Sequence, residues 1–303
     1  MNITIIGAGG MGCLYGAYLS KNNNVVMINS SKNQVDSINQ NGITISEADG
    51  KRYNYKNVKA YLSGEYEEKS DIVIVFVKAT QTEAAVRQNI KLFYKDTTVI
   101  TLQNGMGNDE IIKSVTGINN IIIGTSRHNA INLGNAQICH PFEGTTVIGS
   151  TGLNNMLEKI RDTFCECGLN TEISDDIRRI IWSKLFLNIS INPFTFIAQT
   201  FTGFVTEDEH ARSFAKMLID EAISVAKADG LEFEKEEVYS SVRLLCSNAK
   251  NGYSSMYQDR QKKIKTEIDA LNGAVVKKAE EYGMKAPCNE LVVKLVHAIE
   301  DSY

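Results

Sequence analysis

The sequence opens with Asn2-Ile3-Thr4-Ile5-Ile6, a short apolar run, and passes directly into Gly7-Ala8-Gly9-Gly10-Met11-Gly12. A periodic apolar stretch follows, carrying Leu14, Ala17, Tyr18 and Leu19. Strand, glycine-rich turn and helix in that order predict a dinucleotide-binding βα unit. Gly7 permits the tight turn, Gly9 lets the backbone approach a pyrophosphate, and Gly12 allows helix and strand to pack closely. The anion would rest on the backbone N–H groups that open the helix. Gly7, Ala8, Gly9, Gly10, Met11 and Gly12 are therefore the candidate cofactor cradle. The alternative is a tight turn in an unrelated α/β protein.

Outward from this unit, short β-rich runs alternate with helical ones. Val25 to Asn29 is expected as the second strand, and Asp71 to Val77 reads as a central parallel strand buried on both faces. Thr97 to Leu102 and Asn120 to Gly124 continue the series, with helices over Thr80 to Phe93 and Asn108 to Val115. Gln137 to Cys139 and Thr145 to Gly149 should extend the sheet as an irregular edge, and Leu153 to Cys167 should be the helix closing the domain. From about Asp175 the period turns helical and stays so. Phe214, Leu218, Ala222, Val225 and Ala226 mark one helix ending at Gly230. Others are expected from Lys235 to Ala249, from Gln258 to Glu281, and from Pro287, with Leu291, Leu295 and Ile299 on one face. Pro193 is expected to interrupt an earlier helix starting near Ile177. The fold class is thus α/β, a Rossmann-type doubly wound parallel sheet (residues 1–170) followed by an all-α C-terminal domain (171–303). A ligand is expected in the cleft between them, above the carboxyl ends of the strands.

Composition limits the functional classes. The 303 residues suffice for two domains, and 43% hydrophobic with 22% charged residues is ordinary for a soluble protein. A net charge of −4 gives no global attraction to a nucleic acid backbone. Six scattered cysteines form neither a zinc pattern nor a redox CxxC, and read as reduced thiols. No apolar run is expected to cross a membrane and no leader is read at the N terminus, so the expected location is cytoplasmic. Helix faces not used between the domains make a homodimer the expected assembly.

Four polar clusters interrupt the apolar scaffold. Lys78 ends the Asp71–Val77 strand, where it can reach cofactor phosphate or ribose, or simply lead into a helix at the surface. Gln103-Asn104-Gly105-Met106-Gly107 follows the next strand; Asn104 can bond a ribose or a bound acid, while Asn104-Gly105 also suits a plain turn. Lys184, Asn188 and Asn192 fall at i, i+4 and i+8 of a helix that is otherwise apolar. Such a stripe needs water, protein partners or a ligand, unless it is an ordinary solvent face. Ser255 precedes a helical run and can present its hydroxyl to a carboxylate, or act as an N-cap with Gln258 closing a capping box. Glu267 lies further along that run, where a solvent-facing helix charge is the alternative.

Val77-Lys78-Ala79, Gln103 to Gly107, Trp182-Ser183-Lys184 through Asn192-Pro193, Ser254 to Asp259 and Thr266 to Asp269 join the glycine turn in one resemblance. Over essentially its whole length the chain resembles the ketopantoate reductase (2-dehydropantoate 2-reductase) family. The resemblance implies a Rossmann domain binding NADPH and a helical domain of the 6-phosphogluconate dehydrogenase C-terminal type. It assigns Lys184 as the catalytic lysine. Asn104, Asn188, Asn192, Ser255 and Glu267 then bind or orient cofactor and substrate, and Lys78 serves the cofactor. Family members commonly carry an arginine beyond the second strand for the 2′-phosphate. Here Ile28-Asn29-Ser30-Ser31-Lys32 stands there, leaving Ser30, Ser31 and Lys32 as the candidate phosphate contacts and NADH as the other possible cofactor. Gly252 stands where many members have an asparagine, and His140-Pro141-Phe142 replaces a glycine-containing sequence.

The implied reaction is hydride transfer to the ketone carbon of 2-dehydropantoate, giving (R)-pantoate for pantothenate biosynthesis. Lys184 donates the proton, and Glu267 positions substrate or water. The partner is a small 2-keto acid, and no metal is required. Two other functions fit the same residues: an NADH-dependent D-2-hydroxyacid dehydrogenase acting on branched 2-keto acids, and a non-catalytic dinucleotide sensor.

Overall fold

The computed structural model describes residues 1–152 and 154–303. Its strands are β1 (Asn2–Ile6), β2 (Asn24–Asn29), β3 (Ile43–Glu47), β4 (Arg52–Tyr55), β5 (Val58–Leu62), β6 (Ile72–Val75), β7 (Thr98–Thr101), β8 (Ile121–Ser126), β9 (Asn129–Gly134), β10 (Gln137–Phe142), β11 (Thr146–Gly149) and β12 (Thr171–Ile173). The helices are α1 (Gly10–Leu19), α2 (Lys32–Asn41), α3 (Thr82–Gln88), α4 (Asn108–Thr116), α5 (Leu157–Glu166), α6 (Ile177–Ala198), α7 (Phe204–Glu207), α8 (Glu209–Ala228), α9 (Lys235–Asn248), α10 (Ser255–Gln261), α11 (Asn272–Glu281) and α12 (Pro287–Glu300). The chain divides into two compact units, one of residues 1–103 and 108–180, the other of Asn104–Gly107 and Ile181–Tyr303.

In the first unit the main sheet has the order β12-β11-β8-β7-β6-β1-β2-β5. Its six strands from β5 to β8 pair in parallel, whereas β11 joins β8 antiparallel. Read from β5, the parallel part is the 3-2-1-4-5-6 order of a dinucleotide-binding fold, and strand order reverses between β1 and β6. β6 is wholly buried, which explains its unbroken Val/Ile content, and β1 is buried from Ile3 to Ile6, with the hydroxyl of Thr4 bonded to that of Ser70. The expected strands all form, their ends shifted by at most three residues.

Other expectations need correction. Gln137 to Cys139 does not extend the main sheet. β10 pairs with β3 and β9 in a separate four-stranded sheet, order β4-β3-β10-β9, whose first half lies in a stretch the apolar pattern left unread. Buried polar groups tie this sheet together: His140 Nδ1 lies 2.7 Å from Glu47 Oε2, His140 Nε2 lies 3.1 Å from His128 Nδ1, and Tyr18 donates to Glu47 at 2.6 Å. The single helix expected over Thr80 to Phe93 is α3 flanked by 3₁₀ turns at Ala79–Gln81 and Ile90–Leu92. The expected start of the closing helix, Leu153, lies outside the described residues; α5 begins at Leu157.

In the second unit α6 runs unbroken through Pro193. Proline removes the donor for the carbonyl four residues back, that of Ile189. The side chain of Asn272 replaces it, with Nδ2 donating to Ile189 O at 3.2 Å and to Asn289 Oδ1 at 2.9 Å. Long and apolar enough by composition to span a membrane, contrary to the sequence expectation, α6 spends Trp182, Leu185, Phe186, Ile189, Ile191 and Phe196 on the core of this unit. The helix expected from Gln258 to Glu281 is broken into α10, a 3₁₀ turn at Ile268–Ala270, and α11. Lys263 adopts φ 52° and Leu271 φ −101°, ψ −99°, so neither continues a helix. On α12 the buried apolar positions are Val292 and Val296, while Leu291 and Leu295 are 67% and 43% exposed.

Candidate active site

The first unit carries a glycine turn shaped like a dinucleotide cradle. Gly7 closes the turn after β1 with φ 109°, and a Cβ there would sit 2.7 Å from Val77 N. The glycine turn and the Val77-Lys78 segment therefore lie side by side, at the point where strand order reverses. A Cβ on Gly12 would meet Gly7 O at 1.8 Å, and one on Gly10 would meet Ala130 O at 2.2 Å. By contrast, a Cβ on Gly9 meets nothing within 4 Å, so the space in front of the α1 N terminus is open. Gly9 is the N-cap and brings no side chain to the first-turn N–H groups. Packed glycines behind and open backbone in front fit a bound pyrophosphate.

Two glutamines hold this cradle, and sequence reasoning gave neither a role. Gln34 on α2 donates to Ala8 O at 3.0 Å. Gln103 donates to Val77 O at 2.7 Å and to Thr82 Oγ1 at 2.8 Å, fixing the segment that presents half-buried Lys78. A glutamine directly after an apolar strand and before a turn-forming Asn-Gly was the available signal for Gln103; nothing local marks Gln34. Ser30, Ser31 and Lys32 are exposed at the end of β2. Ser31 caps α2 by accepting from Gln34 N, and Lys32 pairs with Asp36 at 2.8 Å. The hydrogen bond that Lys32 donates to Asp36, and the charge of that carboxylate, raise the Lys32 pKa.

The second unit gathers the other candidates. Lys184 and Asn188 are half-buried and Asn192 buried, so the stripe on α6 is not an ordinary solvent face. The side-chain amides of Asn188 and Asn192 make no protein hydrogen bond among the described residues. Sequence reasoning placed Asn104 on the first domain; it belongs with the helical unit. Gly105 at φ 84° lets the loop turn, with Ala270 O only 2.1 Å from where a Cβ would be, and Met106 N donates to that oxygen at 2.9 Å. This seats Asn104 Nδ2 at 3.4 Å from Glu267 Oε2. Half-buried Glu267 begins the 3₁₀ turn rather than lying on a long helix.

Ser255 is not the cap. Ser254 accepts from Tyr257 N at 3.1 Å, and Gln258 Nε2 reaches Tyr253 O instead of closing a box. Ser255 is the exposed first residue of α10, its hydroxyl free of capping duty. Ser254 also meets Thr195 Oγ1 at 2.6 Å, which joins the start of α10 to α6 one turn after Asn192. The half-buried stripe, the Asn104–Glu267 pair and the exposed serine offer an ammonium, amides, a carboxylate and a hydroxyl, the groups that bind and protonate a polar carbonyl compound.

A family model described as ketopantoate reductase PanE/ApbA matches residues 3–152, and the model of its C-terminal part matches residues 176–300. The 2-dehydropantoate 2-reductase of Pyrococcus horikoshii is 30% identical over 302 residues, covering 99% of this chain and 98% of its own. That of Lactococcus lactis subsp. lactis is 30% identical over 313 residues, with 99% and 98% covered. A solved ternary structure of D-mandelate dehydrogenase with NADH and anilino(oxo)acetate has a TM-score of 0.93 at 31% identity, covering 100% of this chain and 99% of that one. A PanE/ApbA family ketopantoate reductase from Ralstonia eutropha JMP134 has a TM-score of 0.91 at 27% identity, with 100% and 99% covered.

Proposed function

The chain belongs to the ketopantoate reductase family, and from that premise we propose that it reduces 2-dehydropantoate to (R)-pantoate with NADPH, in the cytoplasm. The observation that carries this is the α6 stripe: a half-buried lysine followed by two amides that no protein group among the described residues satisfies. Gly7 to Gly12 and Lys78 would hold the dinucleotide, and Ser30, Ser31 and Lys32 would serve its 2′-phosphate. When bound, the nicotinamide supplies a hydride to the ketone carbon. As the new C–H bond forms and the C=O π bond breaks, negative charge develops on the oxygen. Lys184 stabilises that charge as an ammonium and transfers its proton there. Asn188 and Asn192 orient the polar end of the acid, Ser255 bonds its carboxylate or hydroxyl region, and Glu267 with Asn104 positions substrate or water. Lys184→Ala should lower kcat at saturating substrate by at least a hundredfold, in line with loss of a general acid; a wild-type kcat rejects the assignment.

A second reading is an NADH-dependent dehydrogenase of D-2-hydroxy acids. It is favoured by the engagement of Lys32 with Asp36 and by the similarity to D-mandelate dehydrogenase, solved with NADH. Initial rates with NADPH and NADH across 2-dehydropantoate and simple branched 2-keto acids separate the two. Preference for NADH and 2-ketoisocaproate selects the second reading; no oxidation of either cofactor by any acid removes both.

A further inference from the structure

Glu267 sits on a single 3₁₀ turn between two helices that both stop short of it. A turn so short has little rigidity of its own, so its position is fixed from outside. The fixing groups come from the last turn of α12. Buried Glu300 accepts two hydrogen bonds on Oε1, from Thr266 N at 2.7 Å and from Thr266 Oγ1 at 2.7 Å. Thr266 Oγ1 in turn accepts from Ile268 N at 3.3 Å. On the other side of Glu267, Asp269 Oδ1 lies 2.8 Å from His297 Nε2, while His297 Nδ1 lies 3.1 Å from Glu300 Oε2. Both ring nitrogens face carboxylates, an arrangement that favours the doubly protonated ring. Burial opposes this charge, but the bonds and charges of Asp269 and Glu300 raise the His297 pKa overall. The cation also balances the Glu300 carboxylate, which is nearly removed from solvent.

We infer that Thr266, His297 and Glu300 form a clasp that grips both flanks of Glu267 and holds its carboxylate against Asn104. They are positioning residues for the reaction, acting through Glu267, and the inference rests on the role given to Glu267 above. Glu300 is too deeply buried to be the first choice for substitution. Thr266→Val removes one hydroxyl, and His297→Ala removes a ring at the partly exposed end of the clasp.

Both variants, with Thr266→Ser as the conservative control, are compared with wild type and in a Glu267→Gln background. The readouts are kcat and KM for the keto acid, together with amide exchange over residues 264–271. Thr266→Val and His297→Ala should each lower kcat five- to tenfold with the cofactor KM unchanged, and should speed exchange in that segment. Thr266→Ser should recover most of the rate. In the Glu267→Gln background the same substitutions should change kcat less than twofold. Equal proportional losses in both backgrounds overturn the inference, as does faster exchange with kcat intact, or unchanged exchange. A wild-type rate for Glu267→Gln alone would retire the role of Glu267 itself. An impaired Glu267→Gln beside fully active clasp variants would leave that role standing and remove the clasp.

Discussion

Replacing Asn272 by alanine tests whether a side chain 79 positions away in sequence from Pro193 is what lets α6 pass through it. Asn272 is fully buried and its amide makes two hydrogen bonds, to Ile189 O and to Asn289 Oδ1. Removing it leaves two buried acceptors short of a donor, at about 1–3 kcal/mol each, and adds a small cavity. The expected loss is about 4 kcal/mol. In a Pro193→Ala background the new N–H of residue 193 supplies the Ile189 carbonyl with its ordinary helical bond. The cavity and the Asn289 loss are the same in both backgrounds and cancel in the cycle. Asn272→Ala should therefore cost about 1–3 kcal/mol less there, the worth of one orphaned carbonyl. Urea unfolding followed at Trp182 reads this out, since the only tryptophan is buried in the core of the same unit and bonded to Asp229. Additive losses to within about 0.5 kcal/mol would refute the reasoning.

Three further outcomes follow from the first unit. Gly9→Ala should leave the melting temperature within a degree or two of wild type but weaken dinucleotide binding at least tenfold, because its Cβ projects into open space. Gly12→Ala should instead destabilise the unit severely, since its Cβ would meet Gly7 O at 1.8 Å; calorimetry and cofactor titration distinguish the two. Burial, and secondarily the charge of His140, push the His128 pKa down to about 4. The folded unit thus binds fewer protons than the unfolded chain, so stability falls as pH drops from about 6.5 towards 4, by up to about 3 kcal/mol. Denaturation of wild type and His128→Gln across that range should show a flatter dependence in the variant; parallel curves would contradict the assignment.

The Rossmann-type half was legible because its signals are local. A strand, a glycine turn and a helix within nineteen residues state their own geometry, and buried parallel strands such as Ile72–Val75 announce themselves by unbroken Val/Ile content. The α6 stripe was legible for the same reason: the spacing of Lys184, Asn188 and Asn192 is a property of one helix. Tertiary structure decided the rest. Whether Pro193 ends a helix depends on Asn272, and the stretch from Gln258 to Glu281 is broken at Lys263 and Leu271, with Thr266 between them bonded to Glu300 of a distant helix. Choosing between Ser254 and Ser255 as the cap required Thr195, which secures the former. Asn104 follows a strand of the sheet in sequence yet joins the helical unit, because Gly105 can approach Ala270 O as no other residue could. Periodicity records which face of an element is apolar. Where an element stops, and what a polar side chain meets, are set by partners distant in sequence, and a single chain read in order does not display them.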